Sequence, residues 1–130
     1  MQLAATRVIT DDVDGLVAFY ERVTGLTAER LHPLFMRFRT PAGTLAISSS
    51  QTVPFLGEGA AQARANRSVI LDFLVDDVDE VYASLRDAVE EFVNEPTDMP
   101  WGTRSLLLRD PDGNLVNFYE PVTDEARARA

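Results

Sequence analysis

The sequence predicts an α+β fold of two βαβββ modules, whose mixed sheets pair into a cup-shaped half-barrel with the helices outside. Three observations predict it. Asp11-Asp12-Val13-Asp14 returns as Asp76-Asp77-Val78-Asp79, an offset of 65 residues. Pro41-Ala42-Gly43-Thr44-Leu45 returns in form as Pro111-Asp112-Gly113-Asn114-Leu115, an offset of 70. The two motifs keep their order, each acidic motif opening a helical pattern and each turn motif opening a strand pattern. Two ordered matches at nearly one offset indicate a duplicated module. A module with a single helix covers only one face of its sheet. If the two uncovered faces curl together, they leave a concave pocket of the kind that holds small ligands.

Each element follows from local pattern. Ala4 to Thr10 reads as a strand. Asp12 is a good N-cap. Val13, Leu16, Val17, Tyr20 and Val23 then fall on one helical face, and Gly25 is the stop signal. Extended segments follow at Thr27–His32, Leu34–Thr40 and Thr44–Ser49, with Pro41-Ala42-Gly43 as a turn. The second copy begins with a strand at Ser68–Val75. Asp77 and Glu80 form a capping box. Val78, Val81, Tyr82 and Leu85 make the apolar face, which Ala88 and Val89 extend. No glycine marks the end of this helix. Strand patterns return at Glu91–Asn94, Arg104–Arg109 and Leu115–Pro121, and Asp110-Pro111-Asp112-Gly113-Asn114 is strong turn chemistry. The organisation is a first module over residues 1–50, a linker over 51–67, a second module over 68–121, and a frayed helix or flexible tail over 122–130.

Composition narrows the function. The 130 residues carry 12 cations, all Arg, against 21 Asp and Glu, for a net charge of −9. A negative field repels phosphate backbones, so nucleic acid is not an expected partner, whereas a cationic ligand would be favoured. The absence of Cys removes disulfides, thiolate metal sites and Cys nucleophiles. No basic stretch followed by a long apolar run opens the chain, and no run reaches the ~18 apolar residues of a spanning helix. The expectation is a cytoplasmic protein that does not engage membranes.

The residues also carry a resemblance. Asp12-Val13-Asp14 leading to Ala18-Phe19-Tyr20-Glu21 and Thr24-Gly25-Leu26 is similar to the vicinal oxygen chelate superfamily, the glyoxalase, bleomycin-resistance and dioxygenase family. So are Val75-Asp76-Asp77-Val78-Asp79 and Pro100-Trp101-Gly102-Thr103-Arg104 leading to Arg109-Asp110-Pro111-Asp112-Gly113-Asn114-Leu115. The resemblance covers nearly everything except linker and tail. It implies paired βαβββ modules, a homodimer, and a small-molecule ligand. The family includes metal-dependent lyases, ring-cleaving dioxygenases, thiol transferases and isomerases, and metal-free proteins that sequester antibiotics, so fold alone does not fix function.

Family enzymes set His, Gln or Glu on the first and last strands of each module to hold a divalent cation. Counting from the acidic motifs and the turns, those positions here are Ala5, Ile47, Ile70 and Asn117. Ala and Ile cannot coordinate, and Asn is a weak carbonyl donor. His32, the only His, stands beside Pro33 and cannot build a site alone. No metal and no other cofactor is expected.

Strand alternation then predicts the cup face. It places Arg7 and Ile9 with Ala5, Asp72 and Leu74 with Ile70, and Ile47, Asn117 and Tyr119 inward, while Val8, Leu71, Phe73 and Phe118 pack under the helices. Arg7 and Asp72 occupy matching places in the repeat. They form a salt bridge across the module interface or grip a polar ligand, and Asp72 is the one candidate general base. Trp101 is placed to stack on a flat ligand or to pack at the rim. Phe35, Phe55 and Met99 could add apolar wall, and Phe55 and Leu56 either close over the cup as a lid or anchor the linker. Three readings stay open: a metal-free protein that binds a small organic ligand, cationic or aromatic and antibiotic-like; a metal-independent enzyme of isomerase or lyase type using Asp72 and Arg7; and a metal-dependent lyase or dioxygenase.

Overall fold

The computed structural model describes all residues, Met1–Ala130. The chain divides into two compact units, Met1–Asn66 and Arg67–Ala130. Each is built on one open, four-stranded mixed sheet.

The first unit runs β1 (Thr6–Thr10), α1 (Val13–Thr24), β2 (Glu29–His32), β3 (Phe35–Arg39) and β4 (Thr44–Ser49). Its sheet order is β1-β4-β3-β2, with β1 parallel to β4 and the other pairs antiparallel. Asp12 Oδ1 accepts the Gly15 N–H at 3.0 Å, so the expected cap forms, and Gly25 ends α1 in the left-handed region at φ 73°. Leu16, Val17, Tyr20 and Val23 are buried, as their spacing predicts. Tyr20 meets Phe38 at a ring-centroid distance of 6.3 Å, which puts α1 on the Phe38 face of the sheet. Burying each such side chain is worth roughly 1.5–3 kcal/mol.

The second unit repeats the plan with β5 (Ile70–Leu74), α3 (Val78–Leu85), β6 (Thr97–Asp98), β7 (Thr103–Arg109) and β8 (Leu115–Pro121). Its order, β5-β8-β7-β6, with β5 parallel to β8, is that of the first unit. Asp77 caps α3 through the Glu80 N–H at 3.1 Å. The helix stops at Leu85, short of Ala88 and Val89, which close a turn through hydrogen bonds to the Leu85 carbonyl. Leu106, Leu108, Val116 and Phe118 are buried on the face that meets α3.

One expectation changes, and two loosely specified stretches take definite form. The strand expected at Glu91–Asn94 is reduced to a bridge from Phe92 to Leu108, and β6 forms instead at Thr97–Asp98. Asn94 Oδ1 takes the Leu107 N–H at 2.7 Å, replacing a ladder bond with a side-chain one, and Pro96 has no N–H to continue it. The 51–67 stretch is not bare chain. A 3₁₀ turn at Ser50–Thr52 leads into α2 (Val53–Leu56), and Ala63 is buried. The C-terminal stretch takes the helical of its two expected forms, α4 (Asp124–Arg129), capped by Thr123 and seated by buried Ala126. Gly102 (φ 94°) lies against that cap, and a Cβ there would run into Thr123 Oγ1.

Candidate ligand-binding site

Register decides which side chains share a face. In the second unit Asp72 pairs with Asn117 and Asn117 with Leu107, forming one row across three strands. Leu74, Tyr119 and Ser105 form the next row, and Ile70, Leu115 and Arg109 the one before. All lie on the face opposite the Phe73–Phe118–Leu106 row, in which Phe118 and Leu106 are buried and the two Phe rings sit 5.6 Å apart. Ile70, Asp72, Asn117 and Tyr119 therefore share a face, as alternation predicts. Ile70, Asp72 and Leu74 are exposed. Asn117 Nδ2 donates to Asp72 Oδ1 at 2.9 Å, while Asn117 Oδ1 is enclosed without a donor. The bond fixes the Asp72 carboxylate on this face.

In the first unit the register corrects one expectation. Arg7 pairs with Ala46, and Ala46 with Arg37. Ile47 pairs with Val8 and Met36 and is fully buried on the α1 face. It is a core residue and not part of the face that carries Arg7. Counting four positions from the turn glycine fails because the turns differ in length. Arg39 pairs with Thr44 across four residues, whereas Arg109 pairs with Leu115 across five. The extra residue flips every later side chain, so the counterpart of Asn117 is Ala46.

The face opposite α1 thus carries the rows Arg7–Ala46–Arg37 and Ile9–Ser48–Phe35. Arg7 is exposed and has no carboxylate partner within its own unit. Arg37 Nη2 reaches Glu29 at 3.3 Å, and Arg39 pairs with the same carboxylate. Arg39, then Arg37, hold the Glu29 carboxyl below the usual carboxylate range. Arg37 Nε is enclosed and has no acceptor. Sequence reasoning missed Arg37, although Phe35-Met36-Arg37-Phe38-Arg39 alternates with period two and sets both arginines opposite the buried Met36 and Phe38.

The other expected residues lie elsewhere. Trp101 is 63% exposed in the turn before β7, where its carbonyl accepts Arg129 of α4 at 2.6 Å. It is not in the Asp72–Asn117 row. His32 stacks on Phe35 (5.5 Å, 6° between planes) and its Nδ1 accepts the Leu34 N–H at 3.0 Å, so it shapes the β2–β3 hairpin. Phe55 and Leu56 stand exposed on α2. Near them a cavity of about 360 Å³ is lined by Asp11, Ser50, Pro54, Glu58 and Arg64. Ser50, then Arg64, keep the Asp11 carboxyl below its usual range, and Arg64 closes on it at 2.8 Å.

The donor set does not fit a family-type metal centre. Ala5, Ile70 and Ala46 have no ligand atom, and Asn117 offers one amide oxygen. Asp77, Asp79 and Glu120 do bring carboxylate oxygens within 4.8 Å of one another. Each is already engaged: Asp77 caps α3, Glu120 accepts the Val78 N–H at 3.1 Å, and Asp79 takes both Nε and Nη2 of Arg104. Asp79, then Asp98, raise the proton affinity of the Arg104 guanidinium, so a permanent cation already sits beside the cluster.

Comparison with known proteins fits this geometry. A model of the Glyoxalase/Bleomycin resistance protein/Dioxygenase superfamily matches residues 2–118. The chain is 28% identical over 126 residues to the uncharacterized protein YraH of Bacillus subtilis, covering 92% of this chain and 98% of that protein. It is 28% identical over 120 residues to the putative glyoxylase CFP32 of Mycobacterium bovis, covering 91% of this chain but 43% of that protein. Among solved structures, a protein of unknown function from Agrobacterium tumefaciens superposes with TM-score 0.81 at 22% identity, covering 94% of this chain and 95% of that one. A glyoxalase/bleomycin resistance protein/dioxygenase family enzyme from Burkholderia phytofirmans gives 0.80 at 19% identity, covering 94% and 100%. At these identities the superpositions speak for the fold.

Proposed function

The chain belongs to the Glyoxalase/Bleomycin resistance protein/Dioxygenase superfamily, and from that premise we propose that it is a metal-independent member that binds a small organic ligand on the sheet faces opposite its helices. One observation carries the reading: the strand positions that hold a cation in family enzymes are Ala5, Ala46, Ile70 and Asn117. A Lewis-acid site needs several oxygen or nitrogen donors converging on one point, and this set supplies a single weak one. Instead, the first unit's face offers Ile9 and Phe35 for apolar and aromatic contact, and the second unit's face offers Ile70, Leu74 and Tyr119, with Asp72 and Asn117 as hydrogen-bonding groups. The net charge of −9 acts on a ligand only at long range. The local set meets it on binding. We further propose that the protein acts as a homodimer.

No helix is long and apolar enough to cross a membrane. The test is native mass spectrometry of the untagged protein against its denatured mass, repeated after incubation with Ni(II), Zn(II), Mn(II) and Fe(II). The expected result is a dimer without stoichiometric metal, with or without an organic adduct. One divalent ion retained per chain after buffer exchange would overturn the metal-independent reading and turn attention to lyase and dioxygenase chemistry.

A further inference from the structure

We propose that the first unit's sheet face opposite α1 is an anion subsite, where Arg7 and Arg37 grip a carboxylate, phosphonate or phosphate group while Ile9 and Phe35 hold the ligand's apolar or aromatic body. The inference rests on the reading that the sheet faces opposite the helices meet the ligand. It reverses the sign expected from whole-chain charge.

Three features support it. The first is charge balance. Arg7, Arg37 and Arg39 share one face, and Glu29 is the carboxylate that serves two of them. The other carboxylates with partners in this unit are committed elsewhere: Glu21 to Arg30 on the α1 side, and Asp11 to Arg64. The face keeps an excess of fixed positive charge within a chain that is otherwise strongly acidic.

The second is geometry. Arg7 and Arg37 flank Ala46 in a single row. Their Cα atoms are two strand spacings apart, roughly 9.5 Å. The methyl group of Ala46 leaves the floor between them low, and both side chains are long enough to close on one oxyanion from opposite sides. Guanidinium forks match planar carboxylates and tetrahedral phosphonates better than a point charge does.

The third is incomplete satisfaction. Arg37 spends Nη2 on a Glu29 oxygen at 3.3 Å, longer than a good charge-assisted bond, and its Nε has no acceptor. An enclosed donor without a partner is costly, and native structures seldom retain one without reason. Arg7 has no carboxylate partner within the unit. A ligand oxyanion would give the exposed Arg7 a partner and would compete with Glu29 for the long Nη2 contact of Arg37. The row beyond, Ile9–Ser48–Phe35, is apolar at its two ends, with Phe35 39% exposed and backed by the His32 ring. An anionic head beside an aromatic or aliphatic body is the chemistry these two rows fit.

The test is a titration of ¹⁵N-labelled protein followed by backbone amides and the arginine Nε–H signals. The four probes are phenylphosphonate, benzoate, benzyl alcohol and benzyltrimethylammonium, which hold the ring constant and vary the head group. The two anions are expected to give saturable shifts at Arg7, Ala46 and the Arg37 Nε–H, and the phosphonate and carboxylate arms tell which oxyanion is preferred. The neutral and cationic probes should bind about tenfold more weakly or worse. Arg7→Gln and Arg37→Gln should each weaken anion binding about tenfold, and Arg37→Lys should restore part of the loss. Arg7 is exposed and unpaired within its unit, so Arg7→Gln leaves the fold intact even if Arg37→Gln perturbs the Glu29 pair. Equal binding of all four probes, anion-induced shifts confined to other residues, or no saturable shift with the anions would overturn the subsite. Saturable binding of the neutral or cationic probe alone on these faces would leave the small-molecule reading standing while the anion subsite falls. A retained divalent metal in the mass measurement would instead remove that reading.

Discussion

Asp110 shows how much one side chain can organise. It is buried, and its Oδ1 accepts the N–H groups of Asp112 and Asn114, both at 2.9 Å, while Oδ2 accepts Asn114 Nδ2 at 2.8 Å. The Asp-Pro-Asp-Gly-Asn motif is legible in sequence as a turn. Its energetic centre is not, because burial of the first Asp depends on strands that meet only in the folded chain. Asp110→Ala strands three donors and should cost on the order of 3 kcal/mol, read as a lower urea midpoint at unchanged slope. An unchanged midpoint would mean that water serves those donors as well. The same scale holds the error at Ile47. A turn one residue shorter puts Ala46, not Ile47, on the face of Arg7, and no propensity distinguishes the two registers.

The elements themselves repeat more faithfully than the residues. Both long helices are capped by the second Asp of an Asp-Asp-Val-Asp motif, and both caps form at nearly the same distance, 3.0 Å from the Gly15 N and 3.1 Å from the Glu80 N. Asp12→Ala and Asp77→Ala should therefore each cost about 1 kcal/mol. Asp77 carries a further distinction. It stands in the carboxylate group with Asp79 and Glu120, so its removal also eases like-charge crowding, and its net cost should be the smaller of the two. Urea midpoints of the single variants and the double variant check this; a larger loss at Asp77 would show that crowding there is already relieved by Arg104. The helix ends diverge for a plain reason: Gly25 offers the left-handed stop, while α3 has no glycine and closes through a turn on Leu85.

For the whole molecule, acidity is the dominant electrostatic fact, and its pH dependence has a definite sign. Glu29 and Asp11 both have carboxyl groups held below their usual range, Glu29 chiefly by Arg39 and Asp11 chiefly by Ser50 and then Arg64. A carboxylate whose folded value is depressed contributes stability that is present above its unfolded value and disappears as pH falls through the folded one. The urea midpoint should thus drop as pH is lowered through and below the ordinary carboxylate range, roughly pH 4. Glu29→Gln and Asp11→Asn should each flatten that drop, and added salt should shrink it because both pairs are exposed. A variant whose midpoint follows the parent's pH profile would show that its ion pair adds nothing to stability.

What the sequence by itself determined is the part written in local periodicity. Two acidic caps, two turn motifs and alternating strands specify a duplicated βαβββ plan, since capping, helical spacing and turn chemistry act between residues close in the chain. The absence of coordinating side chains at Ala5 and Ile70 is equally a matter of identity. Tertiary structure alone decided which residues share a face. The Arg7–Ala46–Arg37 row joins three strands drawn from distant parts of the unit, and it exists only because β1 lies parallel to β4 in one register. Register is set by turn length and by the burial of the opposite face, and neither quantity belongs to any single residue.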